Sequence, residues 1–436
     1  MGIVAAIKHP ARIAAGFVLL LGAVLVAAIA AGVFRPAPPS LTPAQLAARA
    51  AERATRHLLD EESSAVRGAE ALVPVRLPRG GSQPVAPSVP AKLFTAPLTP
   101  VEVLGFVPYW EIPNITTTEL ADTSVLALYG VEVAKNGEFL ESGPGWVYYA
   151  TAGYGGLTSV AHRAGDRVLF TVTTTTPAVV NDLARNPGST STRLAAAMTR
   201  AVATGGLDGV DLDIEGSSQA DRYGFVIFVT DLVRSLRHDG MRKTIVLDCY
   251  PQSAGDSTNF FDVARLAPLV DQVFVMDYDM EQYSNSSANA PLAARDLGLS
   301  DVQSLIQFRR VVPASKLILG VPFYGVDFTT ATGAAGAMTL TSSPVVETYS
   351  AIVAADNTVL WDRESLTVWT HFLVNTTWHQ TWYDDPISIA LKRALVARFH
   401  LAGIGVWALG FEGNATEMLS ALDGGSPPKR APTASS

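Results

Sequence analysis

The stretch Asp208-Gly-Val-Asp-Leu-Asp-Ile-Glu215 sets acids at alternate positions among Val210, Leu212 and Ile214. A period of two is that of a β-strand, so Asp211, Asp213 and Glu215 share one face and the aliphatic side chains share the other. Aligned carboxylates repel one another and lose hydration, a cost that a structural strand has no reason to carry; shifted proton affinities are what such an arrangement produces. A solvated edge strand would explain outward acids, but Leu207 and the apolar opposite face fit a strand buried on both sides. A calcium loop needs Gly at its sixth position and Glu at its twelfth, a spacing this run lacks. The stretch reads as an active-site strand.

Comparable apolar, β-branched runs occur at Val103–Tyr109, Val125–Val131, Arg167–Thr173, Thr244–Tyr250, Gln272–Asp279, Lys316–Phe323 and Gly403–Leu409, which with Leu207–Glu215 makes eight strands. Helical periodicity fills the intervals, most clearly Phe225, Phe228, Val229, Leu232 and Leu236 on one face before Gly240. Eight strands alternating with helices predict an α/β fold, a (β/α)8 TIM barrel. The interval between the seventh and eighth strands is too long for one helix, so about 326–384 is expected to form an inserted subdomain beside the barrel mouth. Barrel chemistry takes place at the C-terminal ends of strands, and Glu215 ends the fourth.

The chain has 436 residues, a net charge of −8 and one cysteine, Cys249. That balance, without any Lys/Arg run, argues against a nucleic-acid partner. A single cysteine excludes an internal disulfide or a cysteine zinc site, and Cys249 reads as a small buried hydrophobe. The histidines have no ligand spacing, so neither a metal nor another cofactor is expected. Ile13–Phe34 is 22 residues without a charge, about 33 Å as a helix and enough to span a bilayer. The expectation is a single-pass anchor through 13–34 (domain segment 1–35) in the cell membrane, with the catalytic domain extracytoplasmic. Cleavage near Ala28-Ile-Ala30 would instead give a secreted protein. Thr42-Pro-Ala-Gln45 fits a helix start, so 36–100 is expected to be a helical stalk to about Arg67 followed by a spacer from Pro74 to Pro100 rich in proline. The catalytic barrel is then 101–423, and 424–436 a disordered tail.

The Asp208–Glu215 run resembles the DxxDxDxE signature of family 18 glycoside hydrolases, the chitinase-like group. Leu104-Gly-Phe-Val-Pro-Tyr-Trp110, Met276-Asp-Tyr-Asp279, Leu319-Gly-Val-Pro-Phe-Tyr-Gly325 and Gly403-Ile-Gly-Val-Trp407 resemble its first, sixth, seventh and eighth strands in that order. The resemblance implies a retaining hydrolase of β-linked N-acetylglucosamine polysaccharides or oligosaccharides. Glu215 would be the general acid and then the base, its pKa raised by Asp213 and Asp211. The substrate's own acetamide oxygen would close onto the anomeric carbon, with Asp213 orienting that acetamide and Tyr278 bonding its oxygen. Asp279 and Met276 would meet the sugar, Trp407 would floor the site, and Asp208 would be a structural part of the motif.

Two departures stand out. The family's Ser-x-Gly-Gly at the third strand is replaced here by Thr171-Val-Thr-Thr-Thr-Thr176, which puts chitin specificity in question. Asp277 adds an acid to the sixth-strand motif, and alternation points it outward. The missing glycine pair and the Tyr109-Trp110 start resemble the branch that cuts peptidoglycan. Tyr109 and Trp110, at a strand's C-terminal end, are candidates for substrate binding. Trp382-Tyr-Asp-Asp385 reads first as packing and cap residues before the last helix, second as a subsite. The alternative to hydrolysis is a non-catalytic glycan-binding protein on the same barrel.

Overall fold

The structure is a computed structural model that describes residues 43–74, 83–84, 92–151, 153–238, 243–294, 298–341 and 343–425. The expected anchor at 13–34 and the tail beyond Gly425 lie outside the described residues. Among the described residues, no helix is long and apolar enough to cross a membrane.

Eight parallel strands close into a barrel: β1 (Glu102–Pro108), β2 (Val125–Glu132), β3 (Arg167–Thr174), β4 (Gly209–Ile214), β5 (Thr244–Cys249), β6 (Gln272–Val275), β7 (Leu317–Pro322) and, after the insertion, β13 (Gly403–Trp407). These are the eight expected strands. The sixth is shorter than expected, ending at Val275, so that Met276–Asp279 forms a loop over the barrel mouth. The wall is buried on both faces. Its outer face packs against helices: Phe225, Phe228, Val229, Leu232 and Leu236 of α2 (Arg222–His238; α1 is Pro43–Glu70) are all fully buried. Burial of each such side chain contributes about 1.5–3 kcal/mol. Inside the barrel, Leu104, Phe106, Leu169, Val246, Phe274 and Ile318 fill the lower lumen. Gly320 and Gly405 make room for Phe274, whose ring would lie 2.6 Å from a Cβ at either position. The acids of β4 therefore stand on an apolar plug.

The insertion is an antiparallel sheet of β8 (Tyr324–Thr330), β9 (Val345–Thr348), β10 (Val359–Asp362), β11 (Thr367–Val374) and β12 (Thr377–Tyr383), with the two-residue strand Gln83–Pro84 along the edge of β10. Its extent agrees with the expected interval within about two residues. Asp385 caps the last large helix, accepting from the Ile387 and Ser388 N–H groups. Trp382 and Tyr383 are buried. The segment 382–385 is thus packing and cap.

The stalk and spacer differ from expectation. The compact unit begins at Leu58. The last turns of α1 bury Ala65 and Ala69, and Glu62 accepts a hydrogen bond from Gln303 Nε2 at 2.7 Å. Leu93, Phe94 and Leu98 are buried too, and the Leu98 N–H donates to the Gly424 carbonyl at 2.9 Å. Proline content hid three apolar anchors, so the end of the expected spacer is part of the folded unit.

Behind the mouth, α3 (Asp301–Phe308) and α4 (Pro386–Phe399) enclose Lys392, which is fully buried. Its Nζ donates to Asp384 Oδ2 at 2.9 Å and to the Ala290 carbonyl at 2.7 Å, and lies 3.4 Å from Asp301 Oδ2. Burial alone would lower its pKa, but the charges of Asp301 and Asp384 hold it above the usual lysine value. Asp277 faces this cluster and points outward, as alternation predicts. Burial, reinforced by the Asp301 charge, pushes its carboxyl well up, against Ser304 and Lys392.

Candidate active site

The C-terminal ends of the strands surround a cavity of ≈ 460 Å³. Among the expected residues, Asp213, Glu215, Met276, Tyr278, Asp279 and Trp407 line it. β3 and β4 lie in a register that places Thr171 beside Asp211 and Thr173 beside Asp213. Thr171 Oγ1 donates to Asp211 Oδ2 at 2.9 Å, and Thr173 Oγ1 to Asp213 Oδ2 at 2.8 Å. The threonine run that departs from the family pattern thus supplies hydroxyl donors to the acid strand.

Glu215 lies one residue past the strand and is half-buried. Burial raises its pKa to about 8; the Asp213 charge adds to this, a hydrogen bond from Tyr250 opposes it, and the Asp279 charge adds again. A carboxyl in that range keeps its proton at neutral pH and can donate it. Asp213 is likewise raised, first by burial and then by Asp211, against the Thr173 hydrogen bond. The expected source of the Glu215 shift is corrected accordingly: desolvation leads, and Asp279 takes the place given to Asp211. Asp211 is fully buried below the cavity and does not line it, so it has no direct contact with a bound molecule.

Trp407 stands on edge contacts with Tyr129, centroids 4.5 Å apart, and packs on Phe106 at 5.7 Å; the Trp407–Ala408 peptide is cis. An indole held this way presents an apolar surface suited to a sugar face. The loop after β6 is held by Asn289. Its Oδ1 accepts the Asp279 N–H at 2.7 Å, and its carbonyl accepts the Met280 N–H at 2.8 Å. Asp279 has φ +55°, a left-handed conformation rare outside glycine, and accepts a hydrogen bond from the Tyr324 hydroxyl. Tyr278 packs edge-on against Tyr324 at 6.1 Å. Lys392, bonded to the carbonyl of Ala290, anchors the same loop.

Tyr109 and Trp110 do not line the cavity. Trp110 is 45% exposed and meets the site only through its edge contact with Tyr129 at 6.3 Å. The first strand ends at Pro108, one residue before its expected end, so Tyr109 and Trp110 lie beyond its alternation. Asp208 lies at the opposite end of β4. Its Oδ2 accepts the Val168 N–H at 2.9 Å and lies 2.7 Å from His162 Nε2, an arrangement that ties strand to helix. Cys249 is buried, as expected.

Sequence reasoning missed Asp248, Tyr250, Tyr129 and Tyr324, all of which line the cavity. Asp248 and Tyr250 carried a readable signal, since they alternate at the end of the fifth strand just as Asp213 and Glu215 do at the fourth. Tyr324 carried none, because it opens the insertion.

Residues 180–412 match the family model of glycosyl hydrolases family 18. The chain belongs to that family. It is 26% identical over 245 residues to the putative sporulation-specific glycosylase YdhD of Bacillus subtilis (strain 168), covering 53% of each chain. It is 24% identical over 225 residues to di-N-acetylchitobiase of Rattus norvegicus, covering 46% of this chain and 60% of that one. The chain therefore spans little more than half the length of these relatives. In fold it is similar to the family 18 chitinase from Cycas revoluta in complex with (GlcNAc)3, with a TM-score of 0.63 at 19% identity, covering 74% of this chain and 100% of that one.

Proposed function

We propose that this family 18 member is a retaining glycoside hydrolase that cleaves β-linked N-acetylglucosamine glycans, of the peptidoglycan or chitin type, by substrate-assisted catalysis. The observation that carries this reading is the placement of Glu215 and Asp213 side by side on one cavity wall, above the Trp407 floor. Glu215 donates its proton to the glycosidic oxygen as the bond to the anomeric carbon breaks. The substrate's acetamide oxygen bonds that carbon from the other face, so no protein carboxylate attacks it. Asp213 accepts the acetamide N–H and offsets the positive charge that forms there, while the Tyr278 hydroxyl meets the acetamide oxygen. Water then adds to the anomeric carbon as its bond to the acetamide oxygen breaks, and gives its proton to Glu215, which restores the acid and frees the acetamide.

The names of the relatives, a glycosylase and a chitobiase, support a glycan substrate. Tethering through 13–34, with the barrel outside the cell, belongs to the same proposal and rests on the uncharged run in the sequence. Carbonate-resistant recovery in the membrane fraction supports the tether; recovery in the medium contradicts it. The activity is tested by mass spectrometry of products after incubating the full chain with chitin oligosaccharides and with de-peptidylated peptidoglycan strands. Fragments made by the parent and not by Glu215→Gln establish hydrolysis. Binding of both proteins without fragments would leave a glycan-binding module instead.

A further inference from the structure

Four carboxyl groups crowd the upper barrel: Asp211 and Asp213 on β4, Glu215 just beyond it, and Asp248 on β5. Among the described residues, no lysine, arginine or histidine contributes to the electrostatics of any of the four. Asp211 and Asp248 are sealed from solvent, 0% and 1% exposed, the Oδ1 atom of each has no donor among the described residues, and the two side chains face each other within hydrogen-bonding reach. Ionised carboxylates only accept, so two of them in hydrogen-bond contact require a proton between them.

The surrounding donors decide which partner holds it. Asp211 already accepts from Thr171 Oγ1 at 2.9 Å, which favours the ionised form. Asp248 has no comparable donor among the described residues, and Asp211, Asp213 and Glu215 all face it with like charge. Its other titratable neighbours are Cys249 and Tyr250 on its own strand, Tyr129 on β2 and Tyr278 after β6. None of these is a cation.

We propose that Asp248 is a positioning residue that keeps its proton at working pH and donates it in a hydrogen bond to the Asp211 carboxylate. With Thr171 and Asp248 both donating, Asp211 has no need of the proton on Asp213. Asp213 is then free to ionise opposite the substrate acetamide. This catalytic consequence rests on the hydrolase reading above; the location of the proton does not.

The test uses the full chain and two variants, Asp248→Asn, whose amide can still donate to Asp211, and Asp248→Ala, which cannot. Infrared difference spectra, parent minus Asp248→Asn, at about pH 9, above the point near 8 where Glu215 ionises, are expected to show one protonated-carboxyl band; the proton that burial holds on Asp277 is common to both proteins and cancels. In kinetics, Asp248→Asn is expected to keep kcat within about twofold. Asp248→Ala is expected to lower kcat about tenfold and to raise the acid limb of kcat/KM by about one pH unit with KM unchanged, because Asp211 now shares the proton of Asp213. Absence of that band from the difference spectrum overturns the proposal. So does a wild-type pH profile in folded Asp248→Ala. If the parent cleaves no glycan, the hydrolase reading fails while the infrared result still decides where the proton lies.

Discussion

Two groups of buried acids lie within one loop of each other, and they are built in opposite ways. Behind the loop that follows β6, Asp277, Asp301 and Asp384 surround Lys392, whose side chain is sealed from solvent. Inside the barrel, Asp211, Asp213, Asp248 and Glu215 are held by threonine and tyrosine hydroxyls and by one another, with an open cavity above them. A buried cation neutralises charge permanently and yields a fixed support. Without a cation, the charge of the second group can be adjusted only by protons, which makes those protons available for chemistry. The first group is scaffold for the loop that carries Tyr278 and Asp279; the second holds the reacting acids, Asp213 and Glu215, on the buried pair Asp211 and Asp248.

The sharpest way to break this contrast is to neutralise one member of each group and compare kinetics with stability. Glu215→Gln is expected to lower kcat about 10⁴-fold, equivalent to ~5 kcal/mol in the barrier, while the urea midpoint at neutral pH is not lowered and rises as the cost of a desolvated acid is removed. Lys392→Met should show the reverse pattern, since removal of one partner strands its buried acids: a stability loss of about 3–5 kcal/mol by urea unfolding. Equal losses of stability in both variants would erase the distinction. Asp213→Asn is expected to cost about 10²-fold in kcat, with the urea midpoint unchanged or higher because a desolvated acid has been removed.

Proton affinity supplies a finer comparison. Glu215 acts as an acid only while protonated, so kcat/KM should fall as pH rises through about 8. The folded carboxyl holds a proton that an unfolded one releases near 4.5, so folding binds an extra proton between those values and stability declines as pH rises across that window. Glu215→Gln should flatten this decline; a parent and variant with the same pH dependence of stability would show that the carboxyl is not perturbed. The smallest expected effect is at the rim. Trp110→Ala should raise KM about twofold for long oligomers and leave short ones unchanged, because the ring touches the site only through Tyr129.

The eight strands were legible because a wall buried on both faces needs continuous apolar runs, and the acid strand was legible because alternation isolates one face. Asp277 points outward as alternation predicts, although it lies two residues past the end of the strand. Alternation otherwise failed where backbone leaves the strand: the β6 run ends at Val275, so Met276–Asp279 is aimed by Asn289 and Tyr324, contacts that link distant parts of the chain. Tyr109 and Trp110 lie outside the cavity for the related reason that a strand end does not fix the direction of the residues beyond it. Asp248 was overlooked although its strand showed the same pattern as β4. Composition misled most around 92–100, where prolines surround Leu93, Phe94 and Leu98 yet the segment packs on the folded unit.

The central claim, that the cation-free acids act through the substrate's own acetamide, is tested most directly by proton NMR of the first sugar ends released from a β-linked N-acetylglucosamine oligomer. Initial appearance of the β-anomer, followed by mutarotation, is the predicted result. Initial appearance of the α-anomer would mean single displacement by water and would contradict the account.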